Sequence, residues 1–253
     1  MRTRVKQAVI RALDRAGFAL IPHWRLDRHP MATYLGRLFK YLGTDCVIDV
    51  GANVGQYRDF LRNEVGYQGR IVSFEPIPAH VSEMRGRSAS DPRWTIREAA
   101  LGAVSGSATF NVMRGTQFSS FLSPRDTHSA QFGEQNTVRE QVRVSMLTLD
   151  EVVPQLVAEF APRSLYLKMD TQGYDLEVLK GGSRVMRHIR GMQTEVSVTP
   201  LYEGAPDYVT TMRTLESLGF VFSGMFPNNE GHFPQLIEFD CFVVARDALA
   251  SAG

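Results

Sequence analysis

Short apolar runs separated by helical stretches run along most of this chain. Runs at Val47–Val50, Ile71–Phe74, Trp94–Arg97, Leu165–Met169, Met192–Val196, Phe220–Ser223 and Ile237–Val244 read as strands. Such near-continuous runs suit a sheet buried on both faces. Helical patterns start near Val54, His80, Leu176 and Tyr208, and an earlier one spans Ala32–Leu42. The alternation predicts a doubly wound α/β domain whose seven-stranded sheet is mostly parallel, with an antiparallel last strand at Ile237–Val244. Between Gly106 and Leu147 the polarity alternates instead, with strands near Ala108–Val112 and Val142–Met146. That region reads as an insertion beside the sheet. Its middle, Gly115 to Glu140, is rich in Ser, Thr, Gln and Asn and reads as a mobile loop over the site. The expected organisation is an N-terminal helical addition over 1–44, with a linker from Pro22 to Pro30, and the main domain over 45–247.

Composition narrows the setting. A length of 253 residues is ample for one large domain with a full core. A formal charge of +1 gives no whole-chain reason to expect nucleic acid as a partner. Cys46 and Cys241 both fall in strand-like runs, where they read as buried thiols, and two cysteines alone do not make a zinc site. A reducing cytoplasm suits them. The first twenty residues are basic and amphipathic, with Val5, Val9, Ala12 and Ala16 at helical spacing among arginines. A helix packed on the domain's own surface is the simpler reading, and peripheral contact with anionic lipid the sharper one. No apolar stretch is long enough for a membrane span.

The chemistry concentrates at strand ends. Asp49 closes an apolar run that meets a loop containing Gly51 and Gly55, and a helical pattern follows. A strand–loop–helix of this kind brings backbone N–H groups close to a nucleotide-like ligand. Glu75 closes the next run, about 20 residues past the loop, where a carboxylate is expected on a ribose hydroxyl pair. Together they point to an adenosine-containing cofactor. A dinucleotide fingerprint from Gly51 needs glycines where the chain has Asn53 and Gln56, and a Walker loop needs a lysine after Gly55 where Gln56 stands. Neither phosphate-binding pattern fits, which disfavours a nicotinamide dehydrogenase and leaves room for a small zwitterion.

Val47-Ile48-Asp49-Val50-Gly51-Ala52-Asn53-Val54-Gly55 resembles the first motif of class I S-adenosylmethionine-dependent methyltransferases. Four further stretches are similar to the FkbM-like group of that class: Phe74-Glu75-Pro76, Ala99-Ala100-Leu101-Gly102, the run from Leu167 to Gly181, and Glu195-Val196-Ser197 followed by Pro200 to Gly204. The resemblance covers about 45–245 and implies a Rossmann-like fold with S-adenosyl-L-methionine as cofactor. It implies that Gly51 and Gly55 let the backbone approach the methionine part, and that Asp49 orders the loop and favours the ligand's cationic end. Asn53 is implied to bond the cofactor carboxylate, Glu75 the ribose, with Pro76 stiffening the turn. Ala100 and Leu101 are implied to line the adenine slot.

Methyl transfer from a sulfonium is an in-line displacement, so alignment supplies most of the catalysis. A hydroxyl acceptor also gains from a base, worth about 10²–10⁴-fold. Three side chains compete: Asp170 at the end of Leu165–Met169, Glu195 at the end of the next strand, and His232 in the loop before the last strand. Asp170 is favoured as positioner of cofactor or acceptor, with His232 or Glu195 as base. Gln172, Tyr174 and Tyr202 are candidates for contact with the acceptor. Two carboxylates on neighbouring strands are too weak a signal to assign a metal. The expected function is O-methyl transfer to a hydroxyl of a sugar, glycolipid or polyketide-type natural product, so the expected partner is a small-molecule or glycan acceptor. The alternatives are an RNA or protein methyltransferase, or an inactive cofactor-binding interaction protein.

Overall fold

The computed structural model describes residues 12–13, 15–18, 20–125, 133–228 and 234–250. Most of the basic N-terminal segment, the middle of the expected loop (126–132) and His232 lie outside the described residues. Among the described residues, ten strands follow in chain order: β1 (Cys46–Val50), β2 (Arg70–Phe74), β3 (Trp94–Arg97), β4 (Ala100–Leu101), β5 (Gly106–Met113), β6 (Val138–Leu147), β7 (Leu165–Met169), β8 (Ile189–Ser197), β9 (Phe220–Asn228) and β10 (Glu238–Ala245). The main sheet has seven strands in the order β3-β2-β1-β7-β8-β10-β9. β10 is antiparallel to both its neighbours, and the other pairings are parallel. This is the expected Rossmann-like arrangement.

Two apolar layers enclose the sheet. On one face, helices Leu149–Phe160, Asp175–Lys180 and Tyr208–Ser217 cover Ile48, Val72, Leu167 and Met192. On the other, helices His29–Leu42, Gln56–Phe60 and Pro78–Ser88 cover Val47, Ile71, Tyr166 and Phe242. The helix His29–Leu42 begins inside the expected linker, because Pro30 sits where a helix tolerates a missing N–H, and it ends at Gly43 with φ 62°. It packs Leu35, Leu38 and Phe39 into the same core as β1 and β7, so it covers the sheet directly.

The helix Leu149–Phe160 was not expected. Its start carries a capping box, in which Thr148 accepts from the Glu151 N–H and Glu151 from that of Thr148, but Pro154 within it hides the pattern. The insertion's β5 and β6 join β4, which precedes the insertion, in a second sheet ordered β4-β6-β5. Its ladder is longer than expected: Met113 pairs with Val138 past a bulge at Val112. Val138–Glu140 are therefore strand, and Thr116–Phe118 and Gly133–Asn136 form 3-10 turns, where a loop was expected. Both cysteines are buried free thiols. Among the described residues, no helix is long and apolar enough to cross a membrane.

One polar row crosses the main sheet. Asp49 stands in register with Ser73 on β2 and Lys168 on β7, and Lys168 with Gln193 on β8. The Lys168 ammonium lies 3.2 Å from Asp49 Oδ1. The Ser73 hydroxyl donates to Asp49 Oδ2 at 2.9 Å and accepts from the Trp94 indole N–H at 3.0 Å. Asp49 is 0% exposed, so an unpaired charge here finds no water. Replacing Lys168 by methionine is expected to lower unfolding stability by about 3–5 kcal/mol, the usual cost of stranding one member of a buried pair. Urea denaturation measures it, and an unchanged midpoint contradicts the assignment.

Candidate functional site

Strand order reverses around β1, with β2 on one side and β7 on the other, and ligands of such folds lie outside the carboxyl ends of the strands there. A cavity of about 290 Å³ opens at that edge. Its floor is the loop after β1. The Gly51 and Ala52 N–H groups both donate to the Phe74 carbonyl at 3.1 Å, which bends the chain over the end of β2. Gly51 has φ +75°, and a Cβ there would collide with the Asp170 carbonyl, so only glycine lets β1 and β7 close up. Asn53 follows in a left-handed conformation at φ 50°.

Glu75 locks this loop. Its Oε2 accepts from the Asn53 N–H at 2.8 Å and its Oε1 from the Ile77 N–H at 2.9 Å, with His80 Nδ1 3.4 Å away. Each carboxylate oxygen keeps a further lone pair. The side-chain oxygen of Asn53 is buried with no hydrogen-bond partner. Beside Glu75, the residues Pro76, Ile77, Ala100, Leu101, Phe110 and Phe121 form an apolar slot. Phe110 and Phe121 meet edge-on, their ring centres 4.8 Å apart.

The far wall is acidic and rich in side-chain amides. Asp170, Glu195 and Asp240 line it together with Gln172, Gln193 and Asn228. The Gln172 amide donates to Asp170 Oδ1 and Glu195 Oε2, both at 2.9 Å, and so ties the two acids together. Its own oxygen accepts from the Tyr202 hydroxyl at 2.9 Å. Tyr57 donates to Gln193 at 2.8 Å, and Gln193 to Asp240 at 2.9 Å. Burial pushes Asp240 up to about 6, helped by Asp170 and opposed by the Gln193 amide and Lys168. Burial likewise lifts Glu238 to about 7, and it drives Glu195 well above the usual carboxylate range with help from Glu238, Asp170 and Asp240. Lys168 behaves in the opposite way: burial works against its charge, but Asp49 and Asp170 outweigh it and raise its pKa. Among the described residues no group of three or more His, Cys, Asp or Glu side chains is placed to hold a metal ion.

Gly51, Asn53, Glu75, Pro76, Ala100, Leu101, Asp170, Gln172 and Glu195 all line this cavity. Four other expected residues do not. Asp49 is fully buried beneath the cavity, where it pairs with Lys168 and accepts from Ser73. The space a Cβ would need at Gly55 is occupied by the Trp94 ring, so this glycine packs the loop onto the protein and not onto a ligand. Tyr202 is buried behind Gln172, and Tyr174 packs its ring on Phe121 at 4.8 Å. Sequence reasoning missed Lys168, Gln193, Asn228 and Asp240. The available signal was a polar residue inside a strand otherwise apolar, as in Phe239-Asp240-Cys241.

A seven-stranded sheet with one reversed strand, whose second strand delivers a carboxylate to a glycine loop without a phosphate-binding pattern, fits the Rossmann-like methyltransferase class. The family model for the methyltransferase FkbM domain matches residues 49–222, and the chain belongs to that family. The family's methyl donor is S-adenosylmethionine. No curated protein matches the sequence closely enough to count as a relative. Among solved structures, the chain is similar to the methyltransferase FkbM from Methylobacillus flagellatus KT at 16% identity and a TM-score of 0.49, over 79% of this chain and 43% of that one. The chain thus spans less than half the length of that protein. It is also similar to cofactor-bound Rv0187 from MTB, at 14% identity and a TM-score of 0.46, over 95% of this chain and 89% of that one. Aeropyrum pernix fibrillarin with natively bound S-adenosyl-L-methionine is similar at 10% identity and a TM-score of 0.42, over 85% of this chain and 74% of that one.

The raised carboxyls bear on stability. A carboxyl whose pKa is higher folded than unfolded holds its proton more tightly in the folded state. Its favourable share is therefore present at low pH and is lost as pH rises through the folded value. With Asp240 near 6 and Glu238 near 7, stability is expected to fall between pH 5 and pH 8. Glu238→Gln should flatten that slope. Thermal midpoints across this range test it, and a midpoint that climbs steadily toward pH 8 contradicts it.

Proposed function

We propose that the chain is an S-adenosylmethionine-dependent O-methyltransferase whose acceptor is a hydroxyl of a sugar, glycolipid or polyketide-type natural product. The observation that carries the reading is Glu75: a nearly buried carboxylate at the cavity floor, held by two backbone N–H groups, with lone pairs left for two ribose hydroxyls. The unpartnered Asn53 oxygen adds a second point of fit. Because it is an acceptor, its natural partner is the ammonium of the methionine tail, where the sequence had suggested the carboxylate. The apolar slot of Ile77, Ala100, Leu101 and Phe110 suits a flat base.

When bound, the cofactor supplies an electrophilic methyl on a sulfonium. The chain's own residues do the rest. Asp170 and Glu195, joined through Gln172, would face the sulfonium and the acceptor with the cofactor bound. Tyr202 acts behind them by fixing the Gln172 amide. Gln172, Gln193 and Asn228 offer hydrogen bonds of the kind a polyhydroxyl acceptor uses, and Glu195 takes the hydroxyl proton. The same acids disfavour a nucleic-acid acceptor, since a phosphate chain would have to lie along a wall of carboxylates.

Three outcomes are expected. Glu75→Ala should weaken S-adenosylmethionine binding about 10- to 100-fold, the loss of a hydrogen bond pair to a charged group. Equal affinity by calorimetry would remove Glu75 from this role. Incubation with isotope-labelled donor and a panel of hydroxylated sugars and polyketides should give an acid- and base-stable methyl ether, seen as a mass shift. Transfer only to amines or to RNA would overturn the acceptor class. Asp170→Asn should slow turnover on that acceptor, and undiminished turnover discards its assignment.

A further inference from the structure

Asp240 enters the crevice from the one strand that runs against the others. It stands directly opposite Glu195 across the β8–β10 ladder, and both side chains line the cavity. Like charges opposed on an antiparallel pair repel, and burial strengthens the repulsion. Among the described residues neither carboxylate has an ion-pair partner. The cation of this wall, Lys168, sits 3.2 Å from Asp49 and 3.5 Å from Asp170.

Side-chain amides serve the two acids instead. Gln172 and Asn228 donate to the two oxygens of Glu195 at 2.9 and 3.0 Å, and Gln193 donates to Asp240 at 2.9 Å. Two acids opposed in register and served by neutral donors disfavour each other's ionisation.

We propose that Glu195 and Asp240 act as one proton-holding pair, which shares a proton in the absence of the donor, releases it when a sulfonium binds beside it, and takes the acceptor's proton during transfer. The inference rests on the reading that this cavity holds S-adenosylmethionine. In the transfer, the acceptor oxygen bonds to the methyl carbon as the sulfur–methyl bond breaks. The bonding pair of that bond stays on sulfur, and the proton of the hydroxyl passes to the pair. Net charge is conserved: the positive charge lost from the sulfonium reappears as the proton held by the carboxylates.

The direction of the donor effect follows from the groups facing the pair. Asp170, Asp175 and Glu238 all favour the protonated form of Glu195, while Lys168 is the cation that opposes protonation of Asp240. Tyr57 and Tyr202, the neighbouring phenols, stay neutral because burial and these acids raise them. A sulfonium adds a positive charge to a wall dominated by acids and lowers the pair's proton affinity. The base is thereby ionised when the methyl donor is in place. The neutral product, S-adenosylhomocysteine, exerts no such pull, so the proton can be retained as the product leaves.

Calorimetric titration of the full chain at pH 6.5, in buffers of different ionisation enthalpy, tests this with S-adenosylmethionine and S-adenosylhomocysteine as probes. The two share every group except the sulfonium methyl. S-adenosylmethionine should release measurably more protons than S-adenosylhomocysteine, and the excess should be lost in Asp240→Asn while binding persists. Equal release with both ligands overturns the proposal, and so does an excess that survives in both Asp240→Asn and Glu195→Gln. The wild-type comparison stands without any variant. Binding of neither ligand overturns the reading of the cavity itself, and is distinguishable from binding without proton release.

Discussion

Asp49, fully buried on β1, faces the nearly buried Lys168 on β7, and Ser73 completes the row from β2. Taking two charges from water costs several kcal/mol per ion, and only a well-placed partner offsets it. The pair therefore tolerates one register of β1 against β7. A slip by one residue would send each side chain to the opposite face, where helices Leu149–Phe160 and Asp175–Lys180 supply an apolar layer. That register also sets the strand ends, where Gly51 meets the Asp170 backbone and the cavity opens. Lys168 reaches Asp170 at 3.5 Å as well, so the same ammonium links the core to the acid wall. Fold and site share this one electrostatic constraint.

The charges around the crevice select the ligand. Its floor carries one carboxylate satisfied by backbone N–H groups, and its far wall carries three more with amides between them. Such a site welcomes a cationic centre and repels a phosphate chain. The glycine loop agrees, since it lacks the residues that cradle a pyrophosphate. A nucleoside bearing a positive sulfur meets both requirements, and the donor of the FkbM methyltransferase family has that chemistry.

Much of this was legible in the chain. β1, β2 and β7 are buried on both faces and so appear as mainly apolar runs, each broken by a single inward polar residue (Asp49, Ser73 and Lys168). Glu75 and Asp170 lie just past the ends of β2 and β7 and could be placed before any coordinates. Asp49 was misplaced because an acid one residue before a strand's end looks like an edge residue until cross-strand register is known. Asp240 and Gln193 escaped for a related reason: their meaning depends on which strand lies beside β10, and antiparallel pairing across the sheet leaves no mark in the local sequence. Tyr174 and Tyr202 drew attention as aromatic side chains in loops, although both pack behind the site. β9 runs on to Asn228, beyond the apolar run, because an edge strand exposes alternate residues such as Ser223, Met225 and Pro227 to solvent. Asn228 reaches Glu195 from that extension.

The most direct measurement is a crystal structure of the chain grown with S-adenosylmethionine or S-adenosylhomocysteine. The account predicts both ribose hydroxyls on Glu75, the base between Ala100 and Phe110, and the sulfur facing Asp170. A nucleoside seated elsewhere, or a crevice that takes NADH or ATP in its place, contradicts it.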